Sequence, residues 1–422
     1  MELKKGYKQT EIGVIPEDWE VKEIGSIINY TKGFAFKSRE YKNYGIRVIR
    51  VSDTLFDTIK KENAIYVDKN DSEKYKNWKL KKNDLIISTV GSKPPMYDSM
   101  VGKVIRITEE NEGSLLNQNA VLIRSKDKLK ENQGLLFYNL KTENYINHIE
   151  LIFRGNANQA SITLKDLFEY KLPIPPTQEE QTAIANALTD IDDLINALET
   201  KIEKKKNLKQ GAMQELLKPK EGWVEKRLGE IGETYGGLTG KSKAHFGQGN
   251  AYYIPFMNIL SNPIIDINNF EKVSVGEKEK QNKVIAGDLF FNTSSETPEE
   301  VGICSVIIEE VENLYLNSFC FGFRLKDNEV SGLYLSYFFR SKIGRELMTS
   351  LAQGATRYNL SKSLFNQLKI TLPQSIEGQN RITNILFDMD KEIEGLEGEL
   401  EKYRMMKDGM MKDLLTGRIR LI

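Results

Sequence analysis

Apolar positions recur along this chain with two different rhythms. Ile184, Leu188, Ile191, Ile195, Leu198 and Ile202 are separated by alternating steps of four and three residues, the spacing of a heptad seam that faces another helix. Ile382, Leu386, Met389, Ile393, Leu396 and Leu400 keep the same steps. The pattern predicts two long helices, over residues 178–217 and 377–415, each about 55–60 Å long at 1.5 Å per residue. Pro219 and Gly222 stop the first and Gly417 the second. Two equally long seams are best satisfied by each other, and the long intervening segment lets the second helix run antiparallel to the first.

Elsewhere the apolar runs are short. Residues 46–51, 84–90 and 101–107, and later 252–259, 288–292 and 303–308, are rich in Ile, Val, Tyr and Phe and are separated by Gly, Asn and Asp. Such runs read as strands. Helical stretches over 134–149 and 332–351 follow, each ahead of a proline stop: Pro173, Pro175 and Pro176, then Pro373. Phe319, Phe321 and Phe323 alternate along a strand-like run and read as core. Lys204, Lys205 and Lys206 read as a solvated helix face.

The same parts therefore occur twice. Lys22, Gly25, Gly33, Lys37, Ser38, Asp84, Leu85 and Thr89 stand 204 residues before Lys226, Gly229, Gly237, Lys241, Ser242, Asp288, Leu289 and Thr293. The offset then slips to 200, pairing Asn117 and Arg124 with Asn317 and Arg324, and to 198, pairing Gln181 and Asp192 with Gln379 and Asp390. So small a drift is what loop-length differences within one duplicated plan produce. The fold class expected is α+β: a tandem repeat of two β-rich domains separated by two long antiparallel coiled-coil helices. Its boundaries fall at 1–176 for the first domain, 177–218 for the first helix, 219–374 for the second domain, and 375–422 for the second helix with its tail.

Composition narrows the function. At 422 residues and 48.3 kDa the chain is too long for one core. Sixty basic residues balance 60 acidic ones, which excludes a uniformly basic binder but not a local basic face. Two cysteines, Cys304 and Cys320, and two histidines, His148 and His245, do not supply a disulfide framework or a His-rich metal centre. The lysines near the N-terminus are followed by no apolar stretch, and no run of 18 apolar residues occurs, so a cytoplasmic protein without a membrane span is expected.

Catalytic motifs fail one by one. Gly236 to Ser242 approaches a phosphate-binding loop, but Gly236 and Gly240 are separated by three residues where four are needed, and the repeat places Phe36 where the last glycine should be. Pro94-Pro95 near Tyr97 is preceded by Lys93 and followed by Met96, which breaks the amino-methyltransferase pattern. His148 and His245 have Glu346 and Tyr41 as approximate repeat counterparts, so neither belongs to a duplicated catalytic set. No catalytic residue and no metal ligand is assigned: the chain is expected to bind.

Three segments carry a family resemblance. They are Tyr7-Lys8-Gln9-Thr10-Glu11-Ile12-Gly13-Val14-Ile15-Pro16-Glu17-Asp18-Trp19, Leu172-Pro173-Ile174-Pro175-Pro176-Thr177-Gln178-Glu179-Glu180-Gln181, and Asp413-Leu414-Leu415-Thr416-Gly417-Arg418-Ile419-Arg420-Leu421. Together with the duplication, they make the chain resemble the DNA-specificity subunit of type I restriction–modification enzymes. The junction at Leu372-Pro373-Gln374-Ser375 departs from the pattern by having one proline. The resemblance implies two target-recognition domains, each reading one half of a bipartite, asymmetric site on double-stranded DNA. It implies that the long helices, with the seam residues named above, set the spacing and dock methyltransferase subunits, and through them the restriction subunit. S-adenosylmethionine, ATP and magnesium are then expected on partner subunits only. The alternative from another class is a two-headed coiled-coil scaffold with non-nucleic-acid ligands.

DNA contact needs Lys, Arg and small polar donors, with amides and guanidinium groups for reading base edges. Four places in each half have that composition. The first is Lys32, Lys37, Ser38 and Arg39, with Lys241, Ser242 and Lys243 as its partner. Arg50 is the second, with Asn258 as its approximate partner. The third, Ser92 and Lys93, faces Thr293 and Ser294. The fourth is Arg154, Asn156, Asn158 and Gln159, matched by Gln353, Thr356, Arg357 and Tyr358.

Overall fold

Strands 85–88 and 289–292 are apolar at nearly every position because both of their faces are covered. In the computed structural model, which describes residues 5–126, 133–156 and 159–421, Leu85 and Ile87 enter one core while Ile86 enters another. Leu289 and Phe291 likewise enter one core and Phe290 a second. A sheet buried on both sides needs continuous apolar runs rather than alternation, and this explains the short Ile- and Phe-rich segments of the sequence.

The chain forms two units, Met1–Leu198 with Glu399–Ile422, and Glu199–Gly398. The first contains an antiparallel four-stranded sheet in the order Ile28–Lys32, Ala120–Ser125, Leu85–Ser88, Val104–Arg106. A three-stranded sheet follows the order Leu115–Leu116, Ile46–Ile49, Ile65–Val67, its first pair parallel. A small third sheet joins Arg154–Asn156, Gln159–Ser161 and Val90–Gly91.

The second unit repeats this plan. Gly232–Gly236, Cys320–Leu325, Leu289–Asn292 and Cys304–Val306 form its four-stranded sheet. Glu271–Val273, Phe246–Ile254 and Leu314–Leu316 form the sheet with one parallel pair, and Ser294–Ser295, Tyr358–Leu360 and Ala352–Gln353 the small one. The repeat also preserves an ion pair between a buried carboxylate and a partly exposed arginine. Arg124 holds Asp84 through two bonds of 2.6 and 2.5 Å, and Arg324 holds Asp288 at 2.8 and 2.6 Å.

The helical stretches are each split in two, into Gln133–Asn139 and Glu143–Ile152 and into Gly332–Arg340 and Lys342–Ser350. The run expected as a strand over 252–259 changes element partway. Strand Phe246–Ile254 ends before Pro255, and helix Phe256–Ser261 begins there, because Pro255 has no N–H for the ladder and its fixed φ suits a helix start.

The long helices are Gln178–Leu216 and Ile376–Leu414. Their antiparallel pairing is visible within each unit. In the second, Lys205 pairs with Glu392, Lys206 with Glu397 and Lys209 with Asp390; in the first, Lys407 pairs with Asp192 at 2.6 Å. Lys205 and Lys206 thus bridge to the other helix and do not simply face solvent. The seam is spent on packing inside the chain: Ile184, Leu188, Ile191, Ile195, Leu198, Ile202, Leu386, Ile393, Leu396 and Leu400 are buried, and Ile382 and Met389 half-buried. Among the described residues no helix is long and apolar enough to cross a membrane.

The end of the chain belongs to the first core. Leu414 and Leu415 pack with Trp19, Ile184 and Leu188. Arg420 clamps the fully buried carboxylate of Glu180 and reaches Asp18 through two bonds of 3.0 Å. Tyr7 donates to the carbonyl of Gly417 at 3.0 Å. In the second unit, Leu217 occupies the corresponding core.

Candidate functional site

Each unit gathers its polar loops around one turn, residues 117–119 in the first and 317–319 in the second. Three segments reach the first turn and a fourth joins through Thr89. Phe34 N–H donates to the Leu116 carbonyl at 3.0 Å and Asn117 N–H to the Ile49 carbonyl at 3.0 Å. Thr89 N–H donates to the Asn119 carbonyl at 2.8 Å, and Ile162 N–H donates to the Thr89 carbonyl at 3.0 Å. The second turn is held the same way. Leu238 N–H donates to the Leu316 carbonyl at 2.8 Å and the Asn317 side chain to the Ile254 carbonyl at 3.0 Å. Thr293 N–H donates to the Phe319 carbonyl at 3.1 Å, and Leu360 N–H donates to the Thr293 carbonyl at 2.9 Å.

Close approach at this hub explains one repeated glycine. A Cβ on Gly33 would stand 1.8 Å from the Asn117 carbonyl oxygen, and one on Gly237 would stand 1.9 Å from that of Asn317. Only a residue without a side chain lets the loop after the first strand lie against the turn.

All four patches chosen from composition border this hub in the first unit. Lys32, Lys37, Ser38 and Arg39 are exposed beside it. Arg50 and Ser92 wall a cleft of about 570 Å³ that Ser52, Thr54, Lys60, Asp98, Lys103, Asn117, Gln118 and Asn119 complete. Lys93 is exposed beyond the rim, and Arg154, Asn156 and Gln159 are exposed on the small sheet that carries Val90 and Gly91. Asn158 lies outside the described residues. Some of these cations are already engaged. Arg50 donates to the buried carboxylate of Asp53 at 2.6 Å and to the Asn63 carbonyl at 2.9 Å, and Arg154 donates to Asp166 at 2.8 Å.

The floor of the cleft is a buried amine. Lys103 donates to the carbonyls of Thr54 and Asp98, both at 2.5 Å. Burial pulls this ammonium down from 10.5 to about 8; the nearby charges of Lys60 and Lys141 add to the shift and Asp98 opposes it.

The second unit furnishes the same frame differently. Ser242 and Lys243 are exposed, but the Lys241 amine donates to the Ser274 carbonyl at 2.6 Å and pairs with Glu279 at 2.5 Å. That pair holds the Glu279 carboxyl down at about 2. A lysine so engaged, followed by the short helix Lys243–His245, is unlike a phosphate-binding loop. Asn258 is fully buried and donates to the carbonyls of Asp266 and Asn269, both at 2.9 Å. The strand register also revises its pairing with Arg50. Ile49 lies against Leu116 and Ile254 against Leu316, so Pro255 is the counterpart of Arg50. Thr293 and Ser294 are half-buried in the hub, while Gln353, Thr356 and Arg357 are exposed and Tyr358 half-buried on the small sheet. Ile303 takes the place of Lys103 at the repeat offset of 200.

The central turns themselves escaped the reading from composition. Gln118 and Asn119 line the first cleft, and Phe319, expected in the core with Phe321 and Phe323, is 61% exposed while those two are fully buried. A signal was present: Asn117 and Asn317 coincide in the repeat, whereas the two residues after each differ completely.

Comparison with known proteins agrees across most of the chain. The family model described as type I restriction modification DNA specificity domain matches residues 16–208 and again 220–402. The chain is 28% identical, over 99% of its length and 97% of the relative's, to a Methanocaldococcus jannaschii protein provisionally named the type I restriction enzyme MjaX specificity subunit. It is 25% identical, over 44% of its length and 30% of the relative's, to the type I restriction enzyme EcoAI specificity subunit of Escherichia coli. A crystal structure of the type I restriction–modification system S subunit from M. genitalium shares its fold, with a TM-score of 0.61 at 18% identity over 98% of both chains.

Proposed function

The chain belongs to the type I restriction–modification DNA specificity family, and we propose on that premise that each of its units reads one half of a bipartite, asymmetric DNA site. The observation that carries this reading is the pair of hub turns. One frame of hydrogen bonds is built twice, and the side chains it presents differ: Gln118 and Asn119 in one unit, Ser318 and Phe319 in the other. A duplicated scaffold with unlike tips suits two unlike half-sites. Exposed Lys32, Lys37, Arg39, Lys93, Lys243 and Arg357 supply the phosphate contacts that position such a protein, and the exposed amides supply base-edge partners, whereas Arg50 is held by Asp53 and the Asn63 carbonyl.

In this reading the long helices set the distance between half-sites and dock methyltransferase subunits. Because the seam is buried, docking falls to other faces of the helices, where Leu194, Leu208, Ile385, Met405 and Met406 are exposed. Chemistry is assigned to the partners, which would carry S-adenosylmethionine and, through the restriction subunit, ATP and magnesium. Genome-wide methylation mapping tests the reading. A host expressing this chain with its methyltransferase subunit should show a bipartite motif that vanishes without the chain. An unchanged methylome, with DNA affinity that ignores salt, would favour a scaffold with other ligands, since phosphate contacts make affinity fall steeply with salt.

A further inference from the structure

Phe319 stands out on the second hub turn. The residue is 61% exposed, yet both polar groups of its backbone are hydrogen-bonded within the unit. Phe319 N–H donates to the Asn317 side chain at 2.9 Å, and its carbonyl accepts from Thr293 N–H at 3.1 Å and from the Thr293 hydroxyl at 2.5 Å. Asn317 is in turn tied to the Ile254 carbonyl. Phe321 and Phe323, two and four residues on, are fully buried, so this strand has apolar space that the turn denies to Phe319. A large exposed side chain on a backbone fixed at the point where the loops of the unit meet is placed for an apolar contact outside the chain.

The first unit shows what the position does. Asn119 occupies it there, its carbonyl held by Thr89 as that of Phe319 is held by Thr293, and its residue lines the polar cleft. One unit therefore presents a concave amide-lined surface and the other a projecting ring at the same place in the same frame. Among base edges the strongest apolar feature is the 5-methyl group of thymine, which lies in the major groove, where all four base pairs can be told apart.

We propose that Phe319 is a specificity-determining residue, packing its ring on the 5-methyl group of a thymine in the half-site read by the second unit. This rests on the DNA-recognition reading above. The test uses the full chain in complex with its methyltransferase subunit. Methylation mapping first defines the site for the wild-type complex. Affinity is then measured for duplexes in which each thymine of that site is replaced in turn by deoxyuridine, which lacks only the methyl. The wild-type complex should lose about fourfold at one thymine of one half-site, the value of one methyl-sized group removed from a contact. The Phe319→Ala complex should be indifferent at that thymine, keep its response to the other half-site, and melt at the wild-type temperature. Equal sensitivity of the two complexes at every thymine overturns the proposal. So does a uniform loss for Phe319→Ala on all duplexes, which would indicate a wedge or a structural role. If the wild-type complex yields no bipartite motif, it is the DNA reading that fails.

Discussion

The phenol of Tyr337 donates to the carboxylate of Asp390 at 2.8 Å, and Tyr138 donates to Asp192 at the same distance. Each aspartate also pairs with a lysine of the opposite long helix, Lys209 for Asp390 and Lys407 for Asp192. A short helix of the unit and both long helices thus share one carboxylate. Burial and that carboxylate raise both phenol pKa values, so each tyrosine stays a donor at neutral pH. Tyr337→Phe and Tyr138→Phe should each cost about 1.5–3 kcal/mol, the worth of a hydrogen bond to a charged group. Amide exchange should quicken around 332–340 and 386–394 in one variant and around 133–139 and 188–196 in the other.

Neighbouring glycines should respond oppositely to the same change. Gly237→Ala drives a Cβ into the Asn317 carbonyl at 1.9 Å, whereas a Cβ on Gly236 meets nothing nearer than the Lys362 amine at 3.7 Å. The first substitution should cost about 3 kcal/mol and weaken DNA binding by distorting the hub; the second should be tolerated. Denaturation and salt-dependent DNA titrations on both variants check this, and equal behaviour would show that the close approach does not constrain the turn.

Arg420→Ala leaves the fully buried Glu180 carboxylate without its clamp. Removing one partner of a buried pair costs about 3–5 kcal/mol, and Arg420 is partly exposed, so the lower figure applies. The loss should fall on the first unit, seen as faster exchange in 16–23 and 178–190. Unchanged protection there would mean that the tail merely rests on the unit.

The amine of Lys103 predicts a pH effect of definite sign. Between about pH 8 and the ordinary lysine value of 10.5, the folded chain binds fewer protons at this site than the unfolded chain. Stability therefore rises with pH across that window, and below pH 8 the full disadvantage of holding the charge persists. A denaturation series from pH 8 to pH 10 should show the wild-type chain gaining relative to Lys103→Met. Parallel profiles would sink this account of the cleft floor.

Much of this protein is written locally in the chain. The heptad steps from Ile184 to Ile202 and from Ile382 to Leu400 define the long helices, since helical periodicity depends on neighbours three and four residues away. The duplication is equally legible, because Asp84 with Arg124 and Asp288 with Arg324 keep their identities to make the same ion pair twice. The tips were decided elsewhere. Whether Arg50 faces a ligand or an internal carboxylate depends on Asp53 and on a carbonyl at Asn63. The burial of Asn258 depends on the segment from Asp266 to Asn269. Phe319 leaves the core although Phe321 and Phe323 enter it, because Thr293 and Asn317 fix the turn before the strand begins. Periodicity assigns a residue to an element; only contacts between distant segments decide which side chains that element is free to present.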